Sequence, residues 1–234
     1  MTMRSIAAVL SVLALEACAT EKVLEPAAGA ALAPGGVNVA EASAAGVTVK
    51  VTGDSWKGEP RDLGTLFTPV RVTLENHSGK TLRVSYRDFS LAGGSGFNYA
   101  AIPPMKARGT LNASKTTSAP PPRLVGWEHR GFMVAPHYSY LYPGIEAWAG
   151  PFAYDPLYYD NFYSRWPERL PTQDMLSEAL PEGTLQDGGS VSGFVYFQSV
   201  TGRESAVRFK MDLVDATDGQ AFGRLAIPFQ TKQG

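Results

Sequence analysis

From Val47 onward, apolar residues recur at every second position, and this alternation limits the possible folds more than any other feature of the chain. Val47, Val49 and Val51 alternate with Thr48, Lys50 and Thr52, and Val70, Val72 and Leu74 with Arg71, Thr73 and Glu75. Leu82, Val84 and Tyr86 alternate with Arg83, Ser85 and Arg87. Val207, Phe209, Met211 and Leu213 alternate with Arg208, Lys210 and Asp212, and Leu225, Ile227 and Phe229 close the series. A strand places successive side chains on opposite faces, so each run buries one face and wets the other, as antiparallel sheets do. Val191 to Phe197 is apolar on both faces, which predicts a central strand, and Phe89–Leu91 with Phe97–Ala100 predicts a shorter pair.

Turn residues punctuate these runs. Asn76-His77-Ser78-Gly79 predicts a hairpin between two of them, and Asp218-Gly219 predicts one between the last two. Glycine (24) and proline (17) are abundant, which suits many turns and argues against a helical bundle. Only Thr172 to Leu180 reads as a helix, stopped by Pro181. The expectation is an all-β domain over 47–232, an immunoglobulin-like antiparallel β-sandwich of about seven strands.

Composition excludes several function classes. A net charge of −1 offers no cationic footprint for nucleic acid. The single cysteine excludes a disulfide framework and any zinc site made of several thiolates, and three scattered histidines make no metal-hydrolase pattern. No cofactor is expected.

The first residues set the compartment. Arg4 precedes ten uncharged residues, Ile6 to Leu15, which suits a signal-peptide core and is too short to span a bilayer. Leu15-Glu16-Ala17-Cys18 follows, and it resembles the lipobox of bacterial lipoproteins, although Glu16 stands where a small or apolar residue is usual. The resemblance implies a signal peptide over 1–17 and acylation of Cys18 by fatty acids of the palmitate class. Ala19 after the cysteine, rather than aspartate, implies sorting to the outer membrane. Two or three acyl chains anchor firmly where one does so marginally. Residues 19–46 hold ten alanines among prolines and glycines, so 18–46 is expected to be the lipidated cysteine and a flexible linker.

A second resemblance rests on the strands. The run Val70 to Val84 with its Glu-Asn turn, then Phe89-Ser-Leu91, Gly96-Phe-Asn-Tyr99, Pro181-Glu-Gly183 and Gly193-Phe-Val-Tyr-Phe197, is similar to secreted bacterial immunoglobulin-like lipoprotein domains. That family is largely uncharacterised and implies no catalytic residues.

Residues 103–181, with 12 of the 17 prolines, are expected to form an irregular insert, and 138–166 carries 11 of the 25 aromatic residues. Three readings stand: a structural cover over the sandwich, an interaction surface for protein, glycan or cell wall, or a contact with the bilayer interface. The candidate binding residues are Trp148, Tyr154, Tyr158, Tyr159 and Trp166. The function expected is a non-enzymatic, lipid-anchored envelope protein whose partners are the membrane and an envelope protein or glycan. The alternative is a carbohydrate- or peptidoglycan-binding module. Ser55 in Gly53-Asp54-Ser55 leaves a remote serine-hydrolase reading, but no Asp-x-x-His accompanies it. Gly93 to Gly96 and Asp215 to Gly219 read as turns rather than as a nucleophile elbow and a calcium loop.

Overall fold

The computed structural model describes residues 22–108, 129–136, 139, 142, 144–150 and 170–233. Among these the chain is all-β, with eleven strands in antiparallel pairing. β1 (Lys22–Pro26), β2 (Ala40–Ala44) and β3 (Val47–Thr52) precede a single helical turn, α1 (Leu63–Leu66). β4 (Phe67–Asn76), β5 (Leu82–Val84), β6 (Phe89–Gly93) and β7 (Asn98–Ile102) follow. The insert contributes β8 (His129–Val134) and α2 (Gln173–Glu178), and β9 (Gly183–Gln198), β10 (Ala206–Val214) and β11 (Ala221–Gln233) complete the fold. The strand order is β1-β11-β10-β6-β7-β9-β4-β3-β2, with β5 and β8 also on β9. A bridge between Leu24 and Gly53 brings the two ends of that order together, so the sheet nearly closes into a barrel.

The period-two reading holds at the core. Every apolar position of the alternating runs, from Val47 to Phe229, is buried in one cluster between the layers. Each large side chain so buried contributes about 1.5–3 kcal/mol. The β10–β11 hairpin forms as expected, with Gly219 at a φ of +73° that other residues rarely adopt. The β6–β7 pair forms too.

Four expectations are corrected. Among the described residues there are eleven strands rather than about seven. The stretch read as a flexible linker is built into the sheet from Lys22. β1 pairs with β11 and β2 with β3, and Leu24 and Ala40 are buried in the core. The reason is that both segments complete sheet edges, where backbone pairing adds to the burial of Leu24 and Ala40 without needing a long alternating run. The insert is not uniformly irregular, since it holds β8, α2 and a 3₁₀ turn at Pro104–Lys106.

The fourth correction concerns Asn76. Its turn does not reverse the chain. Glu75 pairs with Ser190 and Leu82 with Leu185, so β5 continues in the direction of β4 along the same neighbour, β9. The jog between them is filled by the Asn76 side chain, which is fully buried. Its amide donates to the Lys80 and Leu185 carbonyls, both at 2.8 Å, and its oxygen accepts from the Ser78 hydroxyl at 2.6 Å.

The registers also define two ends. One end holds the start of β1 (Lys22 opposite Gln233), the start of β10 and the β6–β7 turn. The other holds the β2–β3 and β10–β11 turns and the Asn76–Lys80 jog. Asn76→Ala is expected to lower stability by about 1–3 kcal/mol, because buried carbonyls lose their donors. Urea unfolding of the two proteins checks this.

Candidate binding site at the base of the aromatic insert

β9 presents Val191, Val195 and Phe197 to the core and Phe194 and Tyr196 to the opposite face. This outward face is covered. Trp56, Leu63, Phe67, Leu170, Met175 and Ala179 pack there with Phe194 and Tyr196 as a second apolar cluster. The Trp56 ring meets Phe194 at 5.2 Å and Tyr196 at 5.9 Å between centroids, both nearly perpendicular. In that arrangement ring edges face ring π clouds, which adds to simple burial. The Arg71 guanidinium lies 5.6 Å from the Phe194 centroid and 3.7 Å from the Glu178 carboxylate.

α2 is held by its ends. Thr172 caps it, its hydroxyl accepting from the Met175 N–H at 3.3 Å and donating to the Glu59 carbonyl at 2.6 Å. The carbonyls toward its C-terminus receive buried phenols. Tyr196 donates to the Met175 carbonyl at 2.8 Å, and Tyr142 donates to the Leu176 and Ala179 carbonyls at 3.4 and 3.3 Å. Burial pushes both phenols up from their ordinary value, so both stay protonated donors. Asp174 accepts the Glu59 N–H at 2.7 Å, which ties the 53–62 loop to the helix, and Trp56 donates to the Pro60 carbonyl at 2.9 Å within that loop.

The chain enters and leaves the aromatic insert from this platform. On the outgoing side, the Trp148 N–H donates to the Val134 carbonyl at 2.8 Å, and Ala147 bridges Val134 in parallel. On the return, Leu170 is buried in the outer cluster, and Leu180 donates to the Phe194 carbonyl at 2.8 Å. Gly193 makes this seat possible, because a Cβ there would stand 2.6 Å from the Leu180 Cα and backbone nitrogen. Tyr142 ties the outgoing limb to the returning helix.

Of the candidate binding residues, Trp148 is half-buried on the outgoing limb. Tyr154, Tyr158, Tyr159 and Trp166 lie outside the described residues, as does Cys18. The sequence reading did not single out Trp56, Tyr142, Phe194 or Tyr196. The apolar outer positions of 191–197 were the available signal that something covers this face.

The turns flagged in the sequence have structural partners. The β6–β7 turn is clamped by Glu204, which is buried and accepts from the Ser95 N–H at 3.2 Å, from the Ser95 hydroxyl and from the Tyr99 hydroxyl at 3.3 Å. The Ser95 hydroxyl holds the Glu204 carboxyl below its usual range. Asp215 pairs with Lys80 at 2.9 Å and accepts the Thr217 N–H at 2.9 Å. The Ser55 hydroxyl donates to the Thr52 carbonyl at 3.5 Å. Among the described residues, no group of three or more His, Cys, Asp or Glu side chains is placed to hold a metal ion. No described helix is long and apolar enough to cross a membrane.

Compared with known proteins, the chain matches no family model, no curated sequence and no solved structure.

Gly193→Ala is expected to cost about 1–3 kcal/mol, the range for overpacking, and to loosen the returning limb. Urea unfolding and proteolytic cuts mapped to 170–181 check both effects. For Glu204 the folded carboxyl titrates below its unfolded value of 4.5. The stability it contributes is therefore present above that value and is lost as pH falls through the lowered folded value. Glu204→Gln should flatten that part of the acid limb, read by thermal unfolding from neutral pH down to about pH 3.

Proposed function

We propose that the protein is a non-enzymatic, lipid-anchored envelope protein that binds a partner through its aromatic insert, 138–166, whose described ends are held on β8 and β9. The observation that carries this reading is the double footing of the insert. Trp148 is fastened to β8, Leu170 is buried against β9, and Tyr142 bonds one limb to the other. Packed ends of this kind lower the ordering cost of binding through the residues between them. Its aromatic composition is the one enriched at protein interfaces, where Tyr and Trp combine large area with a polar tip. Anchorage follows from the likeness of Leu15 to Cys18 to a lipobox, with the outer membrane as the destination that Ala19 implies.

The framework is read as an elaborated immunoglobulin-like sandwich. The order β3-β4-β9-β8 parallels strands A-B-E-D of that fold, and β11-β10-β6-β7 parallels its G-F-C sheet with a further strand. An envelope protein partner is favoured over a glycan. Sugar stacking needs exposed rings, and Trp148, the one candidate ring among the described residues, is half-buried. A hydrolase reading is disfavoured by the placement of the described histidines. Ser55 follows the end of β3, while His77 and His129 lie toward the other end, beside Gly46 and Val191.

Two measurements test the proposal. Intact-mass analysis should find acyl chains on Cys18 in the mature protein and none in Cys18→Ala. Replacing 151–169 by a short Gly/Ser linker should leave thermal unfolding unchanged and abolish crosslinking to an envelope protein in cells. Crosslinking that survives the replacement would remove the loop from the function.

A further inference from the structure

We propose that the end of the fold bearing the β6–β7 turn and the 33–39 hairpin lies against the bilayer, with Phe97 and Val37 inserted at the interface. This inference rests on the acylation of Cys18 proposed above and adds an orientation to it.

The first observation is the length of the tether. Lys22 is already in β1, paired with Gln233. Only Ala19, Thr20 and Glu21 separate it from Cys18. Four Cα-to-Cα steps span at most about 14 Å, so an acylated Cys18 holds the start of β1 close to the headgroups. A long spacer would let the domain tumble, and this one does not.

The second observation is what shares that end. β11 finishes there, β10 begins there with Ala206 opposite Gln230, and β6 finishes there with Gly93 opposite Val207. The β6–β7 turn therefore points from the same end. On the other layer, Leu24 bridges Gly53, which places the end of β3 at this end. β2 begins beside it, with Ala40 opposite Val51. The hairpin before β2 is closed by the Ala33 N–H donating to the Val39 carbonyl at 2.9 Å, and its tip carries Val37.

The third observation is the distribution of exposed apolar side chains. Among the described residues the exposed large ones are Leu32, Val37 and Phe97, at 58%, 87% and 54% exposure. All three lie at this end: Val37 and Phe97 on turns, and Leu32 bridged to Ala40. At the opposite end, His77, Ser78 and Lys80 make the jog polar, Thr217, Asp218 and Gln220 make the β10–β11 turn polar, and the β2–β3 turn, Ala45-Gly46, carries no large side chain. Phe97 is held for insertion, because Ser95 in the same turn is clamped by Glu204 and the Phe97 ring packs on Tyr99 at 4.7 Å between centroids. The end carries both signs of charge, Lys57 and Arg203 against Asp54 and Asp62. Apolar insertion rather than attraction to anionic lipid is then what holds it, and the contact should be insensitive to salt.

The test uses the full-length acylated protein in phosphatidylethanolamine/phosphatidylglycerol vesicles. Acylation blocks Cys18, so one introduced cysteine at a time takes an environment-sensitive fluorophore. Val37→Cys and Phe97→Cys report the proposed face, and His77→Cys and Gln220→Cys report the opposite end. Labels at 37 and 97 should brighten several-fold on reconstitution and be quenched by spin-labelled acyl chains, in low and in high salt, while those at 77 and 220 stay in water. Because Val37 is on an exposed turn away from the core, its variant remains informative if the Phe97 variant is destabilised. Acyl mass on Cys18 with labels at 37 and 97 as wet as those at 77 and 220 overturns the orientation alone. Absence of acyl mass and of vesicle binding overturns the anchor, and the orientation with it.

Discussion

Strand β9 is hydrogen-bonded on both sides along most of its length, and the rest of the molecule is arranged around that pairing. On one side it carries β4 and, after the Asn76 jog, β5. On the other it carries β8, then the bridge to Ala179, then β7. A strand paired so completely has no free edge and supplies two faces for burial. One face closes the main core and the other seats α2 and Trp56. The insert, the 53–62 loop and the N-terminal strands all take their positions from elements registered on β9.

That arrangement explains why a segment rich in proline is nonetheless firmly placed at its base. The backbone of 179–181 lies beside Gly193, where the missing side chain admits it. Buried phenols from β9 and from the outgoing limb satisfy carbonyls of α2 that a short helix leaves open. At the end of the fold where β1 begins, the Glu204 clamp holds the turn that carries the exposed Phe97.

The core was legible because its signal is local. Alternation from Val47 to Leu74 and from Val207 to Phe229 states which side chains point inward, and burial follows from that pattern alone. Lys22–Pro26 and Ala40–Ala44 were not legible as strands. Both are short and weakly patterned, and they join the sheet through backbone pairing with β11 and β3, partners about 200 positions away in one case and adjacent in the other. Asn76-His77-Ser78-Gly79 has the composition of a hairpin turn. It forms a jog because β9 offers pairing on the same side to both flanking strands, which no short-range feature records.

The sequence by itself determined the all-β class, the inward-facing residues, the β6–β7 and β10–β11 hairpins and the aromatic character of the insert, all of which depend on side-chain chemistry and nearest neighbours. Tertiary structure decided the eleven-strand count, the near closure of the sheet, the covering of Phe194 and Tyr196, and which end bears the exposed Val37 and Phe97. These depend on which distant backbones meet and in what register. A one-residue shift of register exchanges a strand's two faces, so packing between layers, rather than any single strand's composition, selects the outcome.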